Sequence, residues 1–337
     1  MPKRPDHESN RRDFLTKAGK TIIGAGIAGA GVSRAHAMTS SKAAADSAPA
    51  DYSTLKYGSN LWNRDAYSRL VGDLDFGKEK FGWYRGKVMG VKAGEPVRDL
   101  FGFEGFSMAR LLDDGNGVYK KLLREVGFYT DLKTGEVLEE YENPYTGETV
   151  NVVPVANDPF NVRLGPFFPR PPSYGGLNDE KAAAVPDIPF MLPWREVGSS
   201  SVLMTIGINL FYPSALQPDK WPRESSGPMN RVTEIFNHVI DKDLLANPEN
   251  TTVEFAGTWT RVTPWLPWML MGQSEGHCLY NCEMGGGDGT RNAISQKVFD
   301  YAEKHYPLYF SAPDKWEDPS LSSLERYALE QKPAPVK

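Results

Sequence analysis

The sequence predicts a mainly β fold, an antiparallel meander curling into a barrel, with peripheral helices and long Pro-rich loops. Three observations carry that expectation. Short apolar runs recur at a spacing of roughly 8–12 residues with Gly-bearing turns between them, the habit of sandwiches and barrels. Two of those turns, at 131–136 and 143–148, repeat Thr-Gly-Glu after twelve residues, close to one strand plus one hairpin loop. Nowhere do strands alternate with long helical patterns, which argues against a Rossmann-type sheet.

In order along the chain, Phe81–Val91 and Arg98–Arg110 read as strands separated by Lys92-Ala93-Gly94-Glu95-Pro96, a Gly/Pro turn. Val118–Tyr129 follows, with Val118, Leu122, Val126 and Phe128 on one parity. Val137–Tyr141 and Val150–Val155 flank the second Thr-Gly-Glu turn. Residues 157–188 are dense in Pro, Gly and aromatics and predict a long irregular excursion, the kind of loop that often covers a site. Ser201–Tyr212 is a β-branched and apolar run. Arg231–Ala246 fits two periods: Val232, Ile235, Phe236, Val239 and Ile240 make a helix face, while Val232, Phe236, His238 and Ile240 share strand parity. Thr252–Arg261 and Gly276–Cys282 predict two more strands, and Asp318-Pro319-Ser320 opens a helix running to Glu330.

The first residues have the order of an export leader. A polar, partly basic start leads to Arg11-Arg12-Asp13-Phe14-Leu15, a weakly apolar Gly/Ala run from Thr21 to Val32, and Ala35-His36-Ala37. That grammar predicts a twin-arginine signal over 1–37, recognised by the twin-arginine translocase and delivering a folded protein to the periplasm. The apolar run is far short of the ~20 residues that span a bilayer. Residues 38–57 then read as a flexible tether, and 58–337 as one β-rich domain. Removing the leader takes away seven basic and three acidic residues and moves the formal net charge from −5 to −9. No basic stripe survives, so nucleic acid is not an expected partner. The oligomeric state is not legible.

Two cysteines occur, Cys278 and Cys282. An oxidising compartment suggests a disulfide. On one extended strand, however, they would stand roughly 13 Å apart, beyond the ~7 Å limit between Cα atoms, so a bridge requires a turn there.

The segments Leu122-Leu123-Arg124-Glu125-Val126-Gly127-Phe128-Tyr129-Thr130-Asp131, Thr134-Gly135-Glu136-Val137-Leu138 and Asn143-Pro144-Tyr145-Thr146-Gly147-Glu148-Thr149-Val150 lead into Val155-Ala156-Asn157-Asp158-Pro159. With the later Trp265-Leu266-Pro267-Trp268-Met269, the chain resembles the bacterial DUF1838 family, from about Gly58 to Pro313. The resemblance implies one periplasmic domain, expected to be a calycin/lipocalin-like barrel. It supplies no catalytic residues, since the family's function is unknown.

Familiar catalytic signatures are missing: there is no HExxH, CxxC, GxSxG or Walker loop. No metal-ligand spacing and no cofactor motif is visible, so neither metal nor cofactor is expected. The run Gly285–Gly289 reads as a flexible turn. Aromatic concentration is the stronger signal. Trp259, Trp265 and Trp268 fall within ten residues, with Trp83, Tyr84, Tyr129 and Tyr212 on other strands. Barrel filler accounts for some of these. Pro264 and Pro267 break any strand ladder around Trp265 and Trp268, which suggests an aromatic loop over a cavity mouth.

Candidate polar groups come from the densest segments. Arg124 and Arg110 lie in strand-like runs and are candidate oxyanion stabilisers; the simpler role for Arg124 is an ion pair with Glu104, Glu140 or Asp158. Asp158, His277 and Tyr280 are candidate bases, and Asn157 a candidate substrate contact; an Asx-type turn is the simpler role for Asn157-Asp158-Pro159. His238 reads as a partly buried structural histidine. Cys278 and His277, adjacent on a strand, point to opposite faces and so do not form a nucleophile pair. Together these residues lead to the expectation of a cofactor-independent lyase or isomerase for a hydrophobic aromatic small molecule, with lignin-derived phenolics as one candidate class. The alternative is a periplasmic binding or carrier protein with the same pocket and no turnover. A cofactor-loaded protein ranks last.

Overall fold

The structure is a computed structural model and describes residues 59–169, 187–317 and 321–336. The leader 1–37, the tether 38–57, the middle of the Pro-rich excursion and the first residues of the expected last helix (Asp318-Pro319-Ser320) lie outside the described residues. No helix of the described residues is long and apolar enough to cross a membrane.

The chain is mainly β and antiparallel, as its spacing predicts. Helix α1 (Asn60–Val71) precedes three long strands: β1 (Glu79–Val91), β2 (Arg98–Asp113) and β3 (Tyr119–Thr130). Short pieces follow, β4 (Glu140–Glu142), β5 (Thr149–Asn151), β6 (Val155–Asn157), β7 (Val162–Leu164) and β8 (Trp194–Val197). The second half holds β9 (Ser201–Pro213), β10 (Met229–Asp241), α2 (Lys242–Ala246), β11 (Phe255–Thr263), β12 (His277–Gly286), α3 (Gln296–His305) and α4 (Ser323–Glu330). The ambiguous segment after Arg231 is therefore mostly strand, with a helix only after Asp241, whose carboxylate accepts from the Leu244 N–H and caps it. The last helix begins later than expected, at a Ser322/Glu325 capping box.

Two meanders make one sheet, ordered β6-β3-β2-β1-β12-β11-β10-β9-β8, with β7 also on β3. The seam between them is β1 against β12, with Gly82 opposite Gly286 and Val91 opposite His277. The barrel expected from the meander is not closed: among the described residues, no strand pairing joins the β6/β7 end to β8. The reason is physical. Helix α1 packs between the two ends, its Ala66, Tyr67 and Leu70 sharing one core with Leu111, Val162 and Leu164 on one side and Val202, Met204 and Ile206 on the other. Asn63 fixes it there, accepting from the Leu192 N–H at 3.0 Å and the Trp194 indole N–H at 2.7 Å.

The sheet curls because its inner face lacks side chains at the tightest places. Gly82, Gly86 and Gly90 recur every fourth residue on β1, and a Cβ at Gly86 would collide with the Asn281 carbonyl across the seam. Tyr84 lies flat over Gly105 and Gly127 and donates its hydroxyl to the Val126 carbonyl at 3.1 Å. The outer face is also covered. Phe81, Phe106, Val126 and Phe128 pack under α3 through Val298 and Ala302. Both parities of β1–β3 are thus apolar, which hides the direction of the interior from any alternation argument.

Cys278 and Cys282 lie on unbroken β12, buried and free. Strand geometry keeps them apart, as the spacing argument requires.

Replacing Gly105 by Ala puts a methyl into the Tyr84 ring. Chemical denaturation is expected to show a loss of about 1–3 kcal/mol; unchanged stability would contradict the close-packing account of the curl.

Candidate functional site

The inner face of the curled sheet borders a cavity of ≈ 330 Å³ that reaches from β3 and β6, through β1, β12 and β11, to β9 and β10. A smaller cavity of ≈ 100 Å³ lies beside it, under the loop after β11 and helix α4. The two share Asn157, Val232, Arg261, Tyr280 and Ser323 among the residues of their walls, and Tyr129 borders the smaller one. That shared wall is the candidate site.

Strand register assembles it. Phe103 on β2 stands opposite Tyr129 on β3, and Tyr280 on β12 stands opposite Arg261 on β11, which in turn stands opposite Glu234 on β10. All five point inward because each register pair shares a face. Phe103 is the centre of the aromatic floor. Its ring lies 5.1 Å from Tyr129, 5.1 Å and edge-on to Tyr280, and 5.4 Å and stacked on Tyr84. Trp259 continues that floor, 5.5 Å from Tyr280 and stacked at 6.1 Å on Phe236. Offset and edge-on rings at such spacings are the favourable arrangements.

Over this floor runs a polar strip. The Tyr129 and Tyr280 hydroxyls form a hydrogen bond of 3.0 Å. Burial pushes the Tyr129 pKa up to about 12 and holds Tyr280 well above the usual tyrosine value. Both hydroxyls therefore keep their protons at neutral pH. Their mutual bond uses one proton and leaves the other free to donate to a bound oxygen. The Arg261 guanidinium lies 5.9 Å from the centre of the Tyr280 ring and 3.7 Å from Glu234. Burial opposes its charge, but Glu234 and the tyrosines outweigh that and raise its pKa.

Glu125, on the inner parity of β3, accepts a 2.5 Å bond from the Asn157 amide. Burial raises its pKa, partly offset by that bond and by Lys121. A carboxyl group so placed is poised to exchange a proton nearer neutrality than a surface glutamate. His238 on β10 is buried with its Nδ1 unpartnered, and desolvation lowers its pKa to about 4. The Arg261 Nε and the Trp259 indole N–H are likewise buried without a partner. Unpaired buried polar atoms are costly in a finished core, and these three gather on the wall of the large cavity.

Several residues singled out from sequence lie on these walls. Trp83, Tyr84, Asn157, Tyr212, Trp259 and Tyr280 border the large cavity; Tyr129, Asn157, Trp265, Trp268 and Tyr280 border the small one. The other four candidate catalytic groups are elsewhere. Arg124 shares parity with Val126 and Phe128, which face outward under α3, and it donates to Asp158 at 2.8 Å and to the Ser311 carbonyl at 3.2 Å. Asp158 is thus an ion-pair partner, the simpler of the roles considered for Arg124. Arg110 pairs with Glu79 at 3.0 Å and also with Asp314. His277 begins β12 opposite Val91, on the parity that faces away from the cavities.

The reading of the residues missed Lys121, Glu125, Glu234 and Arg261, and gave His238 only a structural part. A signal existed: each is a polar residue sharing parity with an aromatic in an otherwise apolar strand, Glu125 with Tyr129, Glu234 and His238 with Phe236, Arg261 with Trp259. Among the described residues, no group of three or more His, Cys, Asp or Glu could hold a metal ion.

A family model described as a protein of unknown function, DUF1838, matches residues 77–330. The chain belongs to that family. No curated protein matches it.

His238 makes stability depend on pH. Its folded pKa of about 4 lies below the ordinary 6.5, so the unfolded chain binds more protons between those values. The neutral ring's contribution is full above pH 6.5 and is lost as pH falls toward 4. Thermal unfolding of the native chain should therefore weaken across that window, by on the order of 3 kcal/mol from this group. A His238→Asn variant should flatten that part of the profile; an identical profile would contradict the assignment.

Proposed function

We propose that this member of the DUF1838 family is a cofactor-independent lyase or isomerase acting on a hydrophobic aromatic small molecule. The observation that carries the reading is the Tyr129–Tyr280 hydroxyl pair beside Arg261 and Glu234, set into an aromatic cavity wall with Glu125 on the same inner face. A purely apolar ligand would not repay burying two acids, an arginine and their hydrogen-bonding partners. A substrate with an oxygen on an aromatic frame would.

In this reading the ring of the substrate lies against Phe103, Trp259 and Phe236. Its oxygen accepts the free proton of the tyrosine pair, and the Arg261 charge stabilises the negative charge that grows there as a neighbouring bond breaks. Glu125, held by Asn157, takes the proton of the breaking C–H bond, whose electron pair moves toward that oxygen; the pair then returns to another carbon, which takes the proton back, or expels a leaving group, which takes the proton with it. The likeness to a calycin chamber belongs to this reading and is supported by the curl of the sheet and by the α1 residues that share a core with both of its ends. Periplasmic location after export through the twin-arginine pathway is part of the reading and rests on the leader motif alone. Lignin-derived phenolics satisfy the chemistry and remain one candidate class.

The tyrosine hydroxyls, fully protonated at neutral pH, would serve a carrier as hydrogen-bond donors equally well. Carrier and enzyme part on turnover. With a panel of phenolic dimers and no added cofactor, conversion of a compound is expected, and Tyr280→Phe should lower kcat by about 100-fold or more while leaving binding within a few-fold. Retention of a compound without conversion by the native chain would overturn the enzyme reading and favour the carrier.

A further inference from the structure

The large cavity holds two amines, and they are not alike. Lys80 is buried on β1 and donates to the Arg69 and Val253 carbonyls, each at 2.7 Å, tying the end of α1 and the approach to β11 onto the sheet. Two of its donors are committed to the fold. Lys121 on β3 borders the same cavity and has neither an ion pair nor a hydrogen bond among the described residues. Its register neighbours are Leu111 on β2 and Val162 on β7, both buried and apolar. The adjacent Lys120 points the other way and pairs with Asp114 outside. A lysine set between apolar register neighbours, with no hydrogen bond or counter-ion in contact, has nothing in the fold holding its ammonium in place.

We propose that Lys121 is a nucleophile that condenses with the carbonyl carbon of an aromatic aldehyde or ketone held in this cavity. The nitrogen lone pair forms the new C–N bond as the carbonyl π pair moves to oxygen. The two amine protons then leave with that oxygen as one water, giving an imine; water reverses each step and restores the amine. Glu125, four residues along the same face, is the nearest acid on the strand and can protonate the departing oxygen. Burial lowers the Lys121 pKa to about 8, opposed by Glu125, so part of the amine is in its reactive free-base form near neutral pH. The other charged groups facing the chamber are Lys80 on β1, Glu234 and His238 on β10, and Arg261 on β11, and the phenols of Tyr67, Tyr84, Tyr212 and Tyr280 line it too, each held above the usual tyrosine value by burial. The inference rests on the reading of this cavity as a substrate chamber and narrows the substrate to a carbonyl compound.

The probe is benzaldehyde with sodium cyanoborohydride, which reduces an imine to a stable benzyl amine, applied to the full native chain and followed by peptide mapping. One benzyl group is expected on Lys121, formed about tenfold or more faster than on exposed lysines such as Lys87. Lys121→Met should lose that fast phase, and Tyr280→Phe should keep it. Label confined to exposed lysines or to Lys80 overturns the proposal, and the native chain alone decides this if Lys121→Met fails to fold. Turnover without Lys121 labelling sinks only the imine; Lys121 labelling with no turnover across the panel sinks the enzyme reading and leaves the amine's reactivity standing.

Discussion

The structure depends on one seam. β1 and β12 are nearly two hundred residues apart in sequence, yet their pairing from Gly82–Gly286 to Val91–His277 is what makes two meanders one sheet. The seam bends because glycines occupy its inner side. Gly82, Gly86 and Gly90 leave backbone facing backbone and ring, so the sheet coils without side chains colliding on the concave face. A pairing this distant is expensive to close during folding, since chain entropy is lost before its contacts form. It is therefore also the seam on which the chamber's existence rests.

The chamber follows from that curl, and so does its chemistry. Inward parity on β3, β10, β11 and β12 delivers Glu125, Glu234, Arg261 and Tyr280 to a common space because strand register aligns them row by row. Desolvation there acts against charge on Glu125, Arg261 and Tyr280. It raises the tyrosines and Glu125 and lowers Lys121 and His238. Only Arg261 goes the other way, because Glu234 and the tyrosines compensate for its burial. In the proposed reading, groups that would be inert ions on a surface serve as proton carriers and a nucleophile because of where they stand.

The strands, their antiparallel order and the aromatic residues of the walls were legible because period-2 runs and Gly-bearing turns are local signals. The open edge was not, since whether a helix plugs a curled sheet is decided by packing of Tyr67 and Leu70 against residues more than a hundred positions away. Arg124 shares parity with Val126 and Phe128, and that parity is buried, which in a sequence looks like an inward position. It is buried on the outside, beneath α3, while the less conspicuous parity of Lys121, Glu125 and Tyr129 faces the cavities. Where both faces of a strand are covered, hydrophobicity marks burial and says nothing about direction. Arg261 and Glu234 escaped for a related reason: they meet across β10 and β11, and only register reveals such pairs.

In the proposed reading the ≈ 330 Å³ cavity is a chamber for an oxygen-bearing aromatic compound. Native mass spectrometry of the folded chain, incubated separately with phenolic compounds, sterols and lipids, addresses it most directly. The account predicts one aromatic molecule held per chain and no specific retention of saturated lipids. Retention of lipid or sterol alone, or of nothing in the panel, would contradict it.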